Sequence, residues 1–273
     1  MNSYKNKTVL VTGASSGIGL AMAHELSNRG ANVILTARST EKLNMVAEDI
    51  HKNGKNAYVF SQDLSVPAAA EKLYSNIHAA GLEVDILINN AGYGRWGDFT
   101  EHDRNDYSTM IQLNIIALTE LCHLFIPDMI TKGKGGIINV GSTASFVPVP
   151  YSSVYASSKG YVLLLTEALR YEYADKGLRI MAVCPGATDS NFRLVASEKS
   201  KTLQAVAKKR AESGDVGDTC EDVAIEGLDA FLKNKMYVIT GKSNKRMYTV
   251  TRFLSRERVL KMVGGIFQKM MGK

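Results

Sequence analysis

A short apolar run, T-V-L-V-T at Thr8–Thr12, passes straight into Gly13, and glycine returns at 17 and 19 before the helical pattern Leu20, Met22, Ala23, Leu26 begins. The pattern reads as strand, tight turn and helix. Three glycines in one turn remove side chains where another group must come close to the backbone. The free N–H groups and positive dipole end of the following helix then stabilise an anion. The turn formed by Gly13, Ser15, Ser16, Gly17, Ile18 and Gly19 is therefore expected to hold a diphosphate. Its spacing is G-x-x-x-G-x-G rather than the commoner G-x-G-x-x-G of dinucleotide sites.

The second expected strand, 32–37, ends at Arg38. In a dinucleotide fold this strand end reads the adenosine ribose, with an acid accepting from a free 2′-hydroxyl or an arginine meeting a 2′-phosphate. Here the acid is missing and a guanidinium is available for charge-assisted bonds. NADP(H) is expected over NAD(H).

Short β-rich runs continue at 57–61, 84–89, 136–140, 179–184 and 236–240, separated by helical patterns at 40–53, 68–80, 103–126, 152–175 and 220–232. Such alternation gives an α/β fold, a parallel sheet with helices on both faces and right-handed crossovers. Ligands in this architecture bind outside the C-terminal strand ends. The conspicuous polar and glycine positions fall there: Gly13, Arg38, Asp63, Asn90, Ser142 and Pro185.

Tyr155 and Lys159 lie four residues apart in V-Y-A-S-S-K-G, on one face of an expected helix. An ordinary tyrosine titrates near ~10, so a phenol brought to about 7 needs roughly 4 kcal/mol of preferential anion stabilisation. A close ammonium in a partly dry cleft supplies much of that. The pair is expected to act as a proton donor with a lowered pKa.

Taken together, T-G-A-S-S-G-I-G at 12–19, N-N-A-G at 89–92, Asn114, Ser142, Tyr155 with Lys159, and Pro185-Gly186 resemble, in order and spacing, the short-chain dehydrogenase/reductase family over roughly residues 5–241. The likeness is to its single-domain reductases. It implies a Rossmann-type doubly wound sheet of about seven strands, a catalytic domain at 1–241, and a homo-oligomer, dimer or tetramer, formed through the long helices. It also implies roles. Tyr155 would exchange a proton with the substrate oxygen, Lys159 would lower its pKa and bond the nicotinamide ribose, and Ser142 would donate to the same oxygen. Asn114 is similar to the family's asparagine that holds a water next to the lysine. Asp63 with Leu64 resembles the adenine contact, and Asn90, Ala91 and Gly92 the ribose region. After Pro185-Gly186 the usual aliphatic residue and threonine are replaced by Thr188 and Ser190 at the carboxamide positions.

The substrate region is less legible. Phe146, Val147, Val149 and Tyr151 after Ser142, with Tyr93 and Trp96 beside N-A-G, form an apolar and aromatic set expected to wall a pocket for a hydrophobic ketone, aldehyde, steroid-like or acyl substrate. The segment 191–214 is expected to close over it as a lid.

With 273 residues, 45% apolar, the chain can bury one large core. The chain shows no run of 18 or more apolar residues, and residues 1–7 lead into strand one without a leader pattern, so a cytoplasmic protein is expected. Cys122, Cys184 and Cys220 are scattered among apolar residues, as reduced thiols would be, and no histidine stands at metal-ligand spacing. No metal is expected.

Residues 242–273 carry nine Lys or Arg against one acid, Glu257, for a net +8 in a chain of +6, which leaves 1–241 at −2. Val259, Leu260, Val263, Ile266, Phe267, Met270 and Met271 follow helical spacing, so the tail reads as a basic amphipathic helix interrupted at Gly264-Gly265. Three uses are open: peripheral contact with an anionic membrane, a cap on the substrate pocket, or an oligomer contact. Nucleic acid is not expected, since no stacking platform accompanies the basic residues. A second functional class, an NADP(H)-binding regulatory or scaffold protein recruited through this tail, stands beside the oxidoreductase reading.

Overall fold

The inner apolar strands are buried on both faces because they sit in an all-parallel sheet, in which only the edge strand at 57–59 exposes a residue, Tyr58. The computed structural model describes residues 1–190, 192–198, 204–205 and 217–270. Seven strands, β1 Thr8–Thr12, β2 Asn32–Thr36, β3 Ala57–Val59, β4 Ile86–Asn89, β5 Gly135–Val140, β6 Leu178–Cys184 and β7 Tyr237–Ile239, run in the order 3-2-1-4-5-6-7. Each agrees with an expected run to within two residues at either end. Chain direction reverses its order of addition between β1 and β4, where Val9 pairs with both Val33 and Ile86. That switch point opens the crevice of the doubly wound architecture.

One face of the sheet is covered by α1 Gly17–Asn28, α2 Thr40–Lys52 and α8 Cys220–Leu232, the other by α3 Ala69–Ala79, α5 Leu118–Thr131 and α6 Ser153–Glu172. Tyr4 closes the first core, its hydroxyl donating to the Leu228 carbonyl at 2.8 Å. The helix expected at 103–126 is one rod from Arg104 to Thr131, made of α4 Arg104–Ile111, a π-turn over Gln112–Ala117, and α5. By length and mean hydropathy, 1.5 over 18 residues, this rod is long enough to cross a bilayer, which the sequence reading did not see. Leu118, Leu121, Cys122, Phe125 and Met129 are instead buried against the sheet, so it packs as a core helix.

The tail departs from expectation. Residues 242–270 form two helices, α9 Lys242–Arg252 and α10 Arg256–Met270, and the break lies between them, not at Gly264-Gly265. Ser255 starts the second helix, its Oγ accepting from Arg258 N at 3.3 Å. Gly264 lies inside α10 where that helix passes Pro150, and a Cβ there would sit at ordinary contact distance, 3.4 Å from Pro150 Cγ. Neither helix hangs free. Tyr248 of α9 packs at a tilt against Phe146, with ring centroids 4.5 Å apart, and its hydroxyl is 3.0 Å from that of Tyr237.

Close packing of α8 on β5 needs a bare backbone at Gly136, where a Cβ would overlap the Phe231 ring. Gly136→Ala should lower stability by about 1–3 kcal/mol through overpacking, read as a fall in the urea midpoint, and Phe231→Leu in the same chain should return part of the loss.

Candidate active site

The glycine turn is held open from behind. Gly13 adopts φ +68°, and a Cβ on it would lie 2.8 Å from Asn90 Nδ2. A Cβ on Gly19 would collide with the Gly13 carbonyl. Asn90 Nδ2 donates to Thr12 O at 2.9 Å, while Thr12 Oγ1 accepts from the Asn90 and Ala91 amides, both at 3.0 Å. Asn90 thus braces the turn in addition to lining the cleft. At its N-cap Ser16, α1 receives no side-chain bond. Its first-turn amides, which no side chain caps, adjoin a crevice lined by Ser15, Ser16, Gly17 and Ile18. A backbone without room for side chains and a helix end without a side-chain cap fit a diphosphate.

The crevice is continuous with the rest of the cleft, a cavity of about 1280 Å³. Arg38, Asp63, Leu64, Ala91, Gly92, Pro185, Gly186, Thr188 and Ser190 line it as expected, while Gly19 stands behind the wall. Asp63 Oδ1 accepts from the Ser65 amide and hydroxyl at 2.9 and 2.6 Å. Lys42, on the first turn of α2, joins Arg38 at the β2 end. The sequence reading missed Lys42 because an exposed lysine on a helix carries no signal of its own.

Tyr155 and Lys159 project from α6 into the centre of the cleft. Lys159 is 5% exposed, its Nζ donates to the Val140 carbonyl at 2.7 Å and stands 5.9 Å from the centroid of the Tyr155 ring. Gly92 lies beside it, and a Cβ there would press on Asn114 Oδ1 at 3.0 Å. Ser142 lines the cleft with Tyr155 and acts to lower the pKa of its phenol. Ser142 Oγ already accepts from Ala144 N at 3.1 Å, so its own hydrogen is free to donate to the phenol oxygen. Ser145, which the sequence reading passed over, ties this turn to α6: its Oγ accepts from Ser142 N at 3.2 Å and donates to Lys159 O at 2.8 Å.

Electrostatics correct one expectation. Burial pushes the Tyr155 phenol up to about 12, against the lowering effect of Ser142, and burial pushes the Lys159 ammonium down to about 8. The lysine does not bring the phenol toward neutrality here. Loss of water around a phenolate costs more than a cation held off by the Val140 carbonyl returns. At neutral pH the pair carries both protons.

Asn114 is buried in the π-turn, behind the wall and outside the cleft lining. Its Oδ1 accepts from Tyr93 N at 3.2 Å, and its Nδ2 donates to Tyr93 O and Ser158 Oγ at 2.9 and 3.0 Å. Ser158 in turn donates to Tyr155 O at 2.7 Å, so Asn114 sets the height of α6 against the loop after β4.

On the substrate side, Tyr93, Trp96, Ser142 and Val147 line the cleft, with Phe146, Val149 and Phe192. Tyr151 does not. Its left-handed backbone, φ +62°, interrupts the alternation so that Val149 and Ser152 take the wall positions. The short helix α7, Phe192–Ser197, lies over Tyr155, with the two rings 5.2 Å apart. Gly94 permits this approach: a Cβ would lie 2.9 Å from Phe192 Cζ and 3.1 Å from Tyr155 Cδ2. Most of the expected lid at 191–214 lies outside the described residues. The tail reaches the same space, since Val263, Ile266 and Phe267 line it and Phe267 packs edge-on to Trp96 at 5.9 Å.

The family model for short chain dehydrogenases matches residues 7–201. The very-long-chain 3-oxoacyl-CoA reductase of Homo sapiens is 34% identical over 183 residues, 64% of this chain and 57% of that protein. The 7beta-hydroxysteroid dehydrogenase of Clostridium sardiniense is 29% identical over 262 residues, 96% of this chain and 95% of that one, so this likeness runs on into the tail. A solved short-chain dehydrogenase from Sphingobium yanoikuyae, in complex with NADPH, superposes with a TM-score of 0.76 at 28% identity, covering 90% of this chain and 93% of that chain.

Because burial holds the Tyr155 proton, the cofactor-free protein should show no Tyr155 ionisation up to pH ~10, where an ordinary phenol is half ionised. The difference in absorbance near 295 nm between wild type and Tyr155→Phe across a pH titration reads this directly.

Proposed function

The chain belongs to the short-chain dehydrogenase family, oxidoreductases that act between alcohol and carbonyl, and we propose that it is an NADP(H)-dependent enzyme interconverting a hydrophobic carbonyl compound and its secondary alcohol. The observation that carries this reading is the convergence of Tyr155, Ser142 and the buried Lys159 ammonium in one cleft that begins at an open diphosphate turn.

When bound, the nicotinamide supplies or accepts hydride at the substrate carbon. The protein's own residues manage the proton and the charge. Ser142 donates a hydrogen bond where negative charge grows on the substrate oxygen, a contribution of the oxyanion-hole kind. Tyr155 gives its proton to that oxygen in reduction and takes it back in oxidation. Lys159 keeps a positive charge within reach of the phenolate formed in the process, and the Val140 carbonyl fixes that charge in place. Gly13, Ser15, Ser16, Gly17 and Ile18 would hold the diphosphate, Asp63 and Leu64 the adenine side, and Thr188 and Ser190 the carboxamide side.

Two cations, Arg38 and Lys42, border the cleft at the end of β2, and the β2 end itself carries no acid. They favour a 2′-phosphate over a free 2′-hydroxyl. The wall of Trp96, Phe146, Val147, Val149, Phe192 and Phe267 favours an apolar substrate over a free sugar.

Tyr155→Phe should cut turnover by about 10²–10⁴ with little change in NADPH dissociation constant, measured by fluorescence titration, and full activity in that variant would exclude the acid named here. Arg38→Ala should weaken NADPH binding about 10- to 100-fold, the worth of one charge-assisted bond, and leave NADH binding almost unchanged.

A further inference from the structure

The two tail helices have one edge in the cleft and the opposite surface in water. Met247 of α9 and Ile266 of α10 belong to both: each lines the cleft, and they are 54% and 47% exposed. From Met247 an apolar stripe continues along α9 at three-residue steps, through Val250 at 55% exposure to Phe253 at 86%. Phe253 stands in the break between the helices, in the sequence Arg252-Phe253-Leu254-Ser255-Arg256. Leu260 and Met262 add exposed apolar surface on α10.

Charge gathers on the same two helices. Residues 242–273 are net +8 on a body of −2. Lys245 is paired with Glu226 and Lys261 with Glu257, but among the described residues no acid forms an ion pair with Arg246, Arg256, Arg258 or Lys269. A surface that offers bare apolar side chains between cations is complementary to a layer with anionic headgroups above acyl chains. Nucleic acid would satisfy the cations and leave Val250, Met262 and Leu260 in water.

We propose that the α9–α10 hairpin docks on an anionic lipid surface, with Phe253 and Val250 in the acyl boundary, and that Met247 and Ile266 form the doorway through which a lipid-dissolved substrate enters the cleft. The doorway rests on the oxidoreductase reading above; the docking does not. Removing 242–273 is not a clean test, because the cleft would lose Asn244 and Phe267 from its wall.

The experiment uses the full chain and exposed sites outside the cleft. Wild type, Val250→Ser/Phe253→Ser and Arg246→Gln/Arg258→Gln are sedimented with vesicles of pure phosphatidylcholine or of phosphatidylcholine with phosphatidylglycerol, at low and high salt. Wild type should bind the anionic vesicles at least about tenfold better than the neutral ones, with binding weakened by salt, and each double variant should lose about tenfold or more. NADPH oxidation is then followed with a small water-soluble ketone and with a long-chain ketone dissolved in the vesicles. The variants should match wild type on the soluble ketone and show a raised KM, with unchanged kcat, on the embedded one. Equal binding to both vesicle types, or variants that bind like wild type, would overturn the docking. A concentration-dependent dimer in light scattering that Phe253→Ser abolishes, without vesicle binding, would assign the surface to a second copy and overturn it too. Vesicle binding as expected with no turnover of either ketone would leave the docking standing and sink the carbonyl chemistry, and vesicle binding with equal KM values on the embedded ketone would sink the doorway alone.

Discussion

An ammonium ion inside a protein survives only where its protons meet acceptors, and Lys159 is the buried cation around which this site is arranged. The Val140 carbonyl at the end of β5 takes one of them. Gly92 lies beside it, and Ser145 anchors its backbone to the turn that also presents Ser142. The same dryness that makes the cation expensive makes a phenolate expensive, which is why the two pKa values move in opposite senses, one down to about 8 and the other up to about 12. Both shifts have one cause, and the phenol keeps its proton at neutral pH.

Support for that arrangement runs through polar contacts deeper in the core. Asn89 donates to Asn139, and Asn139 to Thr166 on α6, each at 2.9 Å, so β4, β5 and α6 are joined beneath the site by buried amide and hydroxyl groups. Asn114 repeats the device one layer higher, between the loop after β4 and Ser158. Buried hydrogen bonds of this sort fix relative heights of elements more sharply than apolar packing does, because a misplaced partner leaves an unsatisfied group.

The features readable in the sequence are those with a local cause. Apolar runs separated by helical periods foretold all seven strands, because most of them, β4, β5 and β6 above all, are buried on both faces and carry no alternation to confuse the reading. Glycine at 13 and 19 was legible because only a missing side chain fits there, and Tyr155 with Lys159 because helical spacing is fixed. What escaped depends on partners remote in the chain. Nothing near Gly264 announces that α10 runs through it past Pro150, so the break in the tail was placed at the glycines when it belongs at Ser255. Tyr151 reads as one more aromatic of an apolar loop, and only its left-handed backbone removes it from the wall. The sense of the Tyr155 shift escaped as well, since a neighbouring charge is visible in a sequence and loss of solvent is not.

Gly186 meets Asn244 so closely that no side chain fits between them, and Asn244 Nδ2 bonds Asp218 at 2.8 Å and Thr240 O at 2.9 Å. That single latch fastens the tail to the loop after β6. Ser142, Tyr155 and Lys159 precede it in the chain, whereas part of the cleft wall, Met247, Tyr248, Val263, Ile266 and Phe267, follows it. Under the proposed reading, a share of the selectivity would be inherited as a terminal cassette: drift in the last thirty or so residues would reshape that part of the wall and leave Ser142, Tyr155 and Lys159 in place, provided the latch is carried along.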